Sequence, residues 1–243
     1  MFDKRTLRGL HWAIGFILCS YILRLGLQNQ LNLYIHPRYN LFALCMAAFG
    51  LLLCGVGLIT SRQQPHSHDH KKAKEHFGFL DLILIVLILC TIFIEPKPLL
   101  SATADQRKSQ KYISATSLQA ATSFQPKSLI DWSYAIYSSP NPAIYNGREV
   151  DIIGFVYQPK DQQVAPDKVY IARFQVSCCA VDASLVTIPI SYPAWESRLK
   201  RDSWVRVRGT LSAIDDEEPW QVVATHADYI TQPQDPYEYT IPQ

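Results

Sequence analysis

A run of 19 residues from Leu41 to Ile59 contains no charged side chain. As a helix rising about 1.5 Å per residue it is about 28 Å long, close to the hydrocarbon thickness of a bilayer. A soluble helix of this length would carry a polar stripe along one side, and this run has none. The sequence therefore predicts a membrane span, and the rest of the chain has to be interpreted as part of a membrane protein.

Two further apolar runs flank it, at about residues 10–27 and 79–94. The first is not followed by a small-x-small cleavage site, so we expect an uncleaved span in which Arg24 snorkels to the interface. The third is short and begins with Asp81, but its Leu, Ile and Val content favours a span whose helix dipole Asp81 caps. The sequence thus predicts a multi-pass membrane region over residues 1–96.

Charge separates the chain into two parts. Residues 1–111 contain 13 Lys and Arg against 6 Asp and Glu, whereas residues 112–243 contain 10 against 15. Basic residues precede the first run and recur in the loop 60–78, which favours a cytoplasmic N-terminus and an extracytoplasmic C-terminal domain. The opposing observation is a second basic group on the supposed outer side, at Lys97, Arg107, Lys108 and Lys111.

The second part predicts a small all-β domain. Residues 97–127 have no apolar period and are rich in small and polar residues, which is typical of a linker. Ser128 and Asp131 have capping-box spacing and predict a short helix at the start of a domain spanning 128–243. Five runs rich in Val, Ile and aromatic residues follow: Val150–Tyr157, Val169–Cys178, Leu185–Ile190, Trp204–Leu211 and Trp220–Ala224. This spacing favours an OB-like, partly open barrel over a seven-stranded sandwich.

Gly154 and Gly209, inside two of these strands, fit the bends that a barrel requires. One face of the predicted barrel carries basic, aromatic and amide side chains, namely Arg173, Gln175, Trp204, Arg206 and Arg208. Such a face could bind single-stranded nucleic acid. The net negative charge of this part opposes phosphate binding, so the sequence favours a solvated outer face and no nucleic-acid partner.

Three segments of the β domain, 151–157, 173–183 and 202–211, are similar to those of a YcgQ-type family of bacterial membrane proteins. The alternating histidines of the loop 60–78 and the Pro-Lys-Pro-Leu stretch after the third run are similar too. The resemblance implies an accessory subunit in the bacterial inner membrane, with a larger permease subunit as its partner. It supplies no catalytic residue.

His66, His68 and His70 alternate in the loop 60–78, close to Asp69 and His76. Imidazole suits Zn²⁺, Ni²⁺ and Cu²⁺, so the loop could bind a divalent transition metal such as zinc weakly. The alternative is a solvated loop with incidental histidines, because a structural zinc site needs fixed tetrahedral ligands.

Cys178 and Cys179 are adjacent at the end of a predicted strand, with Asp182 shortly after them. They could form a strained, reducible disulfide, or bind a soft metal together with Asp182. The remaining interpretation is one buried core cysteine and one unreactive surface thiol, since neighbouring strand residues point to opposite faces. Because a strand holds ligands in place, we expect this pair to matter more than the loop histidines.

The other four cysteines, Cys19, Cys45, Cys54 and Cys90, lie in the apolar runs and are expected to be small lipid- or helix-facing residues. No hydrolase, nucleotide-binding or metalloprotease motif occurs. The sequence therefore predicts a non-enzymatic accessory subunit of a membrane permease. The alternative is a membrane-anchored metal-handling or thiol-redox protein that acts through the cysteine pair and the histidine loop.

Overall fold

A computed structural model describes residues 4–63, 82–83, 86, 89–90, 93–107, 127–138, 142–160, 166–213 and 220–239. The chain divides into two compact units, Met1–Lys97 and Pro98–Gln243.

The first unit contains two long helices, α1 over Lys4–Leu27 and α2 over Asn40–Gln63. Two short 3₁₀ turns, Gln30–Leu33 and Pro37–Tyr39, connect them. The stretches Gly9–Leu27 and Pro37–Ser61 are long and apolar enough to cross a membrane. They coincide with the first two predicted spans, whereas much of the third, 79–94, lies outside the described residues.

The second unit is built on strands β1 Glu149–Tyr157, β2 Lys168–Val176, β3 Ser184–Ser191, β4 Trp204–Ala213, β5 Trp220–Tyr229 and β6 Tyr237–Tyr239. The strand order is β1-β4-β5-β3-β2, and β1 also pairs with β2. The first five strands therefore form a closed barrel, whereas the sequence predicted a partly open one. β6 was not predicted and pairs in parallel with β2.

Two glycines allow close backbone contacts in the barrel wall. A Cβ atom on Gly154 would lie 2.6 Å from the carbonyl oxygen of Ala172, beside the point where β1 meets β2. A Cβ on Gly209 would overlap the carbonyl oxygen of Val223 at a bulge in the β4–β5 pairing. A side chain at either position would push the neighbouring strands apart, which explains why glycine lies at both.

Aliphatic side chains fill the barrel interior, and a short helix packs against the same core. This helix, α4, spans Leu129–Ser138, and its Leu129, Trp132 and Ile136 join the interior cluster. The predicted capping box is present. Ser128 Oγ accepts the N–H of Asp131 at 3.1 Å, and the Asp131 carboxylate accepts the N–H of Ser128 at 3.1 Å. These two bonds satisfy N–H groups that the start of the helix leaves free.

A second apolar cluster involves the opposite face of β2. Val169 and Ile171 belong to the interior cluster, whereas the alternate residues Phe174 and Val176 pack with Trp204 in this second one. Since side chains alternate along a strand, β2 is buried on both faces. Trp204 and Gln175 are each only 6% exposed. The predicted solvated face is therefore wrong at these two residues.

Residues 98–107, called the strap below, cover part of this second cluster. The strap contains the short helix α3, Ser101–Gln106, whose Ala104 is 1% exposed. The backbone N–H of Leu99 donates to the Tyr237 hydroxyl at 3.0 Å, and that of Ser101 to the Asp202 carboxylate at 2.8 Å. The predicted linker 97–127 therefore differs from the structure in its first part, which packs on the barrel. Residues 108–126 lie outside the described part of the chain.

Candidate functional site

The loop between β2 and β3 contains both cysteines of the second unit. We call residues 177–183 the dithiol loop. β2 ends at Val176, two residues earlier than predicted, so neither Cys178 nor Cys179 lies in a strand. Cys178 is exposed and Cys179 is half-buried, and neither belongs to an apolar cluster. The expectation that the strand holds them on opposite faces is therefore wrong.

The Asp182 carboxylate organises this loop. It accepts three consecutive backbone N–H groups, from Ser177 at 3.2 Å, Cys178 at 2.7 Å and Cys179 at 3.4 Å. The N–H of Asp182 in turn donates to the carbonyl of Cys179 at 3.1 Å, which closes a single 3₁₀ turn. Bonds to an ionised acceptor are stronger than those between neutral groups, so the carboxylate holds the backbone of the loop after the strand has ended.

The two thiols and the carboxylate come together at the surface. The Sγ atoms of Cys178 and Cys179 are 3.6 Å apart, and one potential ligand atom from each of Cys178, Cys179 and Asp182 lies within 4.8 Å of the others. The two sulfur atoms are not joined, since a disulfide bond is about 2.0 Å long. The structure thus brings together three of the residues that the sequence singled out.

Protonation follows from this arrangement. Burial raises the pKa of Asp182, but hydrogen bonds from the Cys178 thiol and from three backbone N–H groups outweigh it and hold that pKa below its ordinary value. The Asp182 carboxylate, followed by the Cys179 thiol, raises the pKa of Cys178 to about 11. Cys178 is therefore a protonated thiol at neutral pH. A protonated thiol is a poor nucleophile, because the thiolate is the reactive form.

Arg107, at the end of the strap, binds the dithiol loop from outside it. Its guanidinium donates to the carbonyl oxygen of Ala183 at 2.6 Å and to that of Ala180 at 3.2 Å. These two carbonyls lie on either side of Asp182 in the chain, so Arg107 spans the 3₁₀ turn. Sequence reasoning missed this contact, because an arginine in a polar stretch gives no local signal of a partner 76 residues away.

The three arginines of the face that could bind nucleic acid, Arg173, Arg206 and Arg208, form ion pairs with acidic side chains. Arg173 contacts Glu238 at 3.2 Å, and the Glu238 carboxylate also accepts the N–H of Ile130 at 2.9 Å near the start of α4. Arg206 pairs with Asp151 at 2.6 Å and Arg208 with Asp228 at 2.9 Å, all four side chains being exposed. Together with the burial of Trp204 and Gln175, this leaves no continuous basic and aromatic face among these five side chains.

The histidines of the predicted metal-binding loop, His66, His68 and His70, lie outside the described residues, as do Asp69 and His76.

Two family models match the chain. The DUF1980 N-terminal domain matches residues 10–110, and the DUF1980 C-terminal domain matches residues 99–240, which is more than half of the chain. The chain belongs to the DUF1980 family. The C-terminal match begins within the strap, in agreement with the packing of the strap on the barrel. No curated protein matches this DUF1980 chain.

Proposed function

We propose that this DUF1980 protein is a membrane-anchored accessory protein of a transport complex, and that its barrel domain binds a thiophilic divalent metal ion such as Zn²⁺ at the dithiol loop. One observation carries the proposal. Two sulfur atoms and a carboxylate lie within 4.8 Å of one another on an exposed loop. Thiolate and carboxylate are both ligands of zinc.

The distances support such a site. Two sulfurs bound tetrahedrally to Zn²⁺, at about 2.3 Å each, lie about 3.8 Å apart, and the separation here is 3.6 Å. Cys178, Cys179 and Asp182 would supply three ligands. A site with three protein ligands retains an open position, whereas structural zinc sites are closed by four. An open, exposed site suits an ion that is handed to a partner.

A metal-binding role is better supported than a redox role. A redox-active thiol is activated by a low pKa, and the pKa of Cys178 is raised to about 11. A metal ion can overcome this because it replaces the proton on sulfur. The redox alternative would need a feature that stabilises the Cys178 thiolate, and the neighbouring Asp182 carboxylate does the opposite.

The remaining parts of the proposal concern the membrane, the type of barrel and the partner protein. Within an 18-residue window of each candidate span, only 6% and 11% of the residues, respectively, are buried within the chain, which supports contact with lipid rather than with a protein core. We assign the barrel to the OB type on its five strands. The similarity to YcgQ-type proteins favours a larger permease subunit as the partner, in a bacterial inner membrane with the barrel outside. No nucleic-acid partner is proposed.

Zinc binding to the purified full chain tests the site. We expect a competition titration against a chromophoric chelator to show a zinc ion bound per chain, lost in the Cys178→Ser/Cys179→Ser variant. Co²⁺ substitution should give sulfur-to-cobalt charge-transfer bands that the same variant lacks. The matched control is Cys45→Ser/Cys90→Ser, which also removes two exposed thiols and should leave both signals unchanged.

The proposal is wrong if the wild-type chain binds no zinc, or if the Cys178→Ser/Cys179→Ser variant binds it with unchanged affinity. Changing His66, His68 and His70 together to Ala should leave the charge-transfer bands in place, because those bands report sulfur ligands alone.

A further inference from the structure

The two long helices repeat one short pattern. Gly15 and Cys19 lie four residues apart on α1, and Gly50 and Cys54 lie four residues apart on α2. Residues four apart share one face of a helix. Each helix therefore presents a glycine and a thiol on the same face, one turn from each other.

These two faces pack against each other reciprocally. A Cβ atom on Gly15 would lie 2.8 Å from the Cys54 Sγ, and a Cβ on Gly50 would lie 2.6 Å from the Cys19 Sγ. Each thiol thus occupies space that the glycine of the opposite helix leaves empty. Gly15 pairs with Cys54 and Cys19 pairs with Gly50, so the order of the two residues is reversed between the helices. The arrangement is therefore close to two-fold symmetric.

The two thiols also face each other between the helices. Cys54 Sγ lies at Gly15, one turn before Cys19, and Cys19 Sγ lies at Gly50, one turn before Cys54. Because helical side chains lean toward the N-terminus of their own helix, the two sulfur atoms converge. Both are half-buried, in helices composed largely of apolar residues. Two thiols that face each other between two helices can be bridged by a soft cation that replaces one of their protons. Sulfur ligands select soft ions, Cu⁺ among them.

We propose that Cys19 and Cys54 form a second metal site, which takes a soft monovalent cation such as Cu⁺. On binding, the S–H bond of one cysteine breaks, a metal–thiolate bond forms at that sulfur, and the proton leaves to solvent. The other cysteine coordinates through its sulfur and keeps its own proton. No electron is transferred, and a monovalent cation enters for each proton that leaves.

Charge explains the selectivity for a monovalent ion. Exchange of one proton for one monovalent cation leaves the site neutral, and a net charge in an apolar environment is strongly unfavourable. A divalent ion exchanged in the same way would leave a positive charge, and Zn²⁺ would also lack two of its four usual ligands. The site therefore differs in selectivity from the dithiol loop and does not depend on it.

The test uses the full chain with Cys45, Cys90, Cys178 and Cys179 changed to Ser, so that only Cys19 and Cys54 remain. Cu⁺ is titrated anaerobically with ascorbate, in competition with the chromophoric chelator bicinchoninate, and proton release is followed with a pH indicator. We expect one Cu⁺ bound and about one proton released per chain. Further change of either Cys19 or Cys54 to Ser should weaken binding at least tenfold, since a single sulfur cannot bridge.

Two glycine-to-alanine variants, one that touches the site and one that does not, test the site without removing a thiol. Gly15→Ala places a methyl group against the Cys54 sulfur and should also weaken Cu⁺ binding at least tenfold. Gly55→Ala, on the same helix as Cys54, meets nothing within 4 Å and should leave binding unchanged. Circular dichroism of each variant establishes that the helices are retained.

Three outcomes would overturn the proposal: a folded background variant that binds no Cu⁺, single-cysteine variants that bind as tightly as the pair, or release of two protons per ion. Because both thiols of the dithiol loop are absent from this background, failure of the zinc experiment and failure of this one are independent.

Discussion

At the residue scale, Asp182 accounts for both the shape and the chemistry of the dithiol loop. Its carboxylate accepts three backbone N–H groups and also the Cys178 thiol. The same negative charge that orders the backbone therefore keeps the neighbouring thiol protonated. The pKa of Cys178 rises from 9.0 to about 11, so its thiolate becomes abundant only as the pH approaches 11.

Replacing Asp182 by Asn should make Cys178 more reactive. Loss of the carboxylate returns the pKa of Cys178 toward 9.0, which raises the thiolate fraction at pH 8 up to a hundredfold. The less basic thiolate is less nucleophilic, so the net gain in alkylation rate is about tenfold. The measurement is iodoacetamide labelling quantified by mass spectrometry, comparing Cys179→Ser with Cys179→Ser/Asp182→Asn. An unchanged rate would show that the carboxylate does not control the thiol.

At the element scale, the sequence correctly predicted those elements whose burial pattern or capping residues lie within the element itself or directly beside it. The Ser128–Asp131 spacing located α4, and runs of Val, Ile and aromatic residues located the five barrel strands. The end of β2 could not be predicted, because β2 is buried on both faces and its apolar run gives no period that stops before Cys178. The Asp182 carboxylate, which accepts the N–H groups of Ser177, Cys178 and Cys179, holds the loop in shape from its first residue.

The strap and β6 were missed for a related reason. β6 spans only three residues, and the helix in the strap spans only six. Segments this short have no periodicity of their own, and their positions depend on contacts with distant residues, such as Leu99 with Tyr237. Tertiary packing, rather than propensity, places both segments.

Two alanines of α3 test whether the strap is part of the barrel domain. Ala104 is 1% exposed and Ala102 is exposed. Ala104→Asp should bury a charge and lower the melting temperature of residues 98–243 by about 10 °C, corresponding to about 3 kcal/mol. Ala102→Asp should change it by no more than about 2 °C, because the carboxylate stays in solvent. Equal melting temperatures for the two variants would show that the strap does not pack on the barrel in solution.

At the scale of the whole molecule, the two units differ in surface chemistry. The first consists of apolar helices with basic flanks, and the second is a closed barrel in the acidic part of the chain. The family matches, 10–110 and 99–240, overlap in the strap, which joins the two parts of the sequence. The sequence could separate these units by composition alone, whereas side-chain placement, as in the Cys19–Cys54 pair, required the packing of the helices.

The proposed membrane topology leads to the last prediction. Lys and Arg precede the first candidate span and recur in the loop 60–78, so with three spans we expect this loop in the cytoplasm and the barrel outside. In a chain whose native cysteines are changed to Ser, Val181→Cys places a thiol at a site that is 84% exposed, and Ser67→Cys places one in the loop. An impermeant maleimide added to intact spheroplasts should label Val181→Cys and should reach Ser67→Cys only after permeabilisation. The opposite pattern would place the barrel in the cytoplasm, where the dithiol loop could meet only a cytoplasmic metal donor.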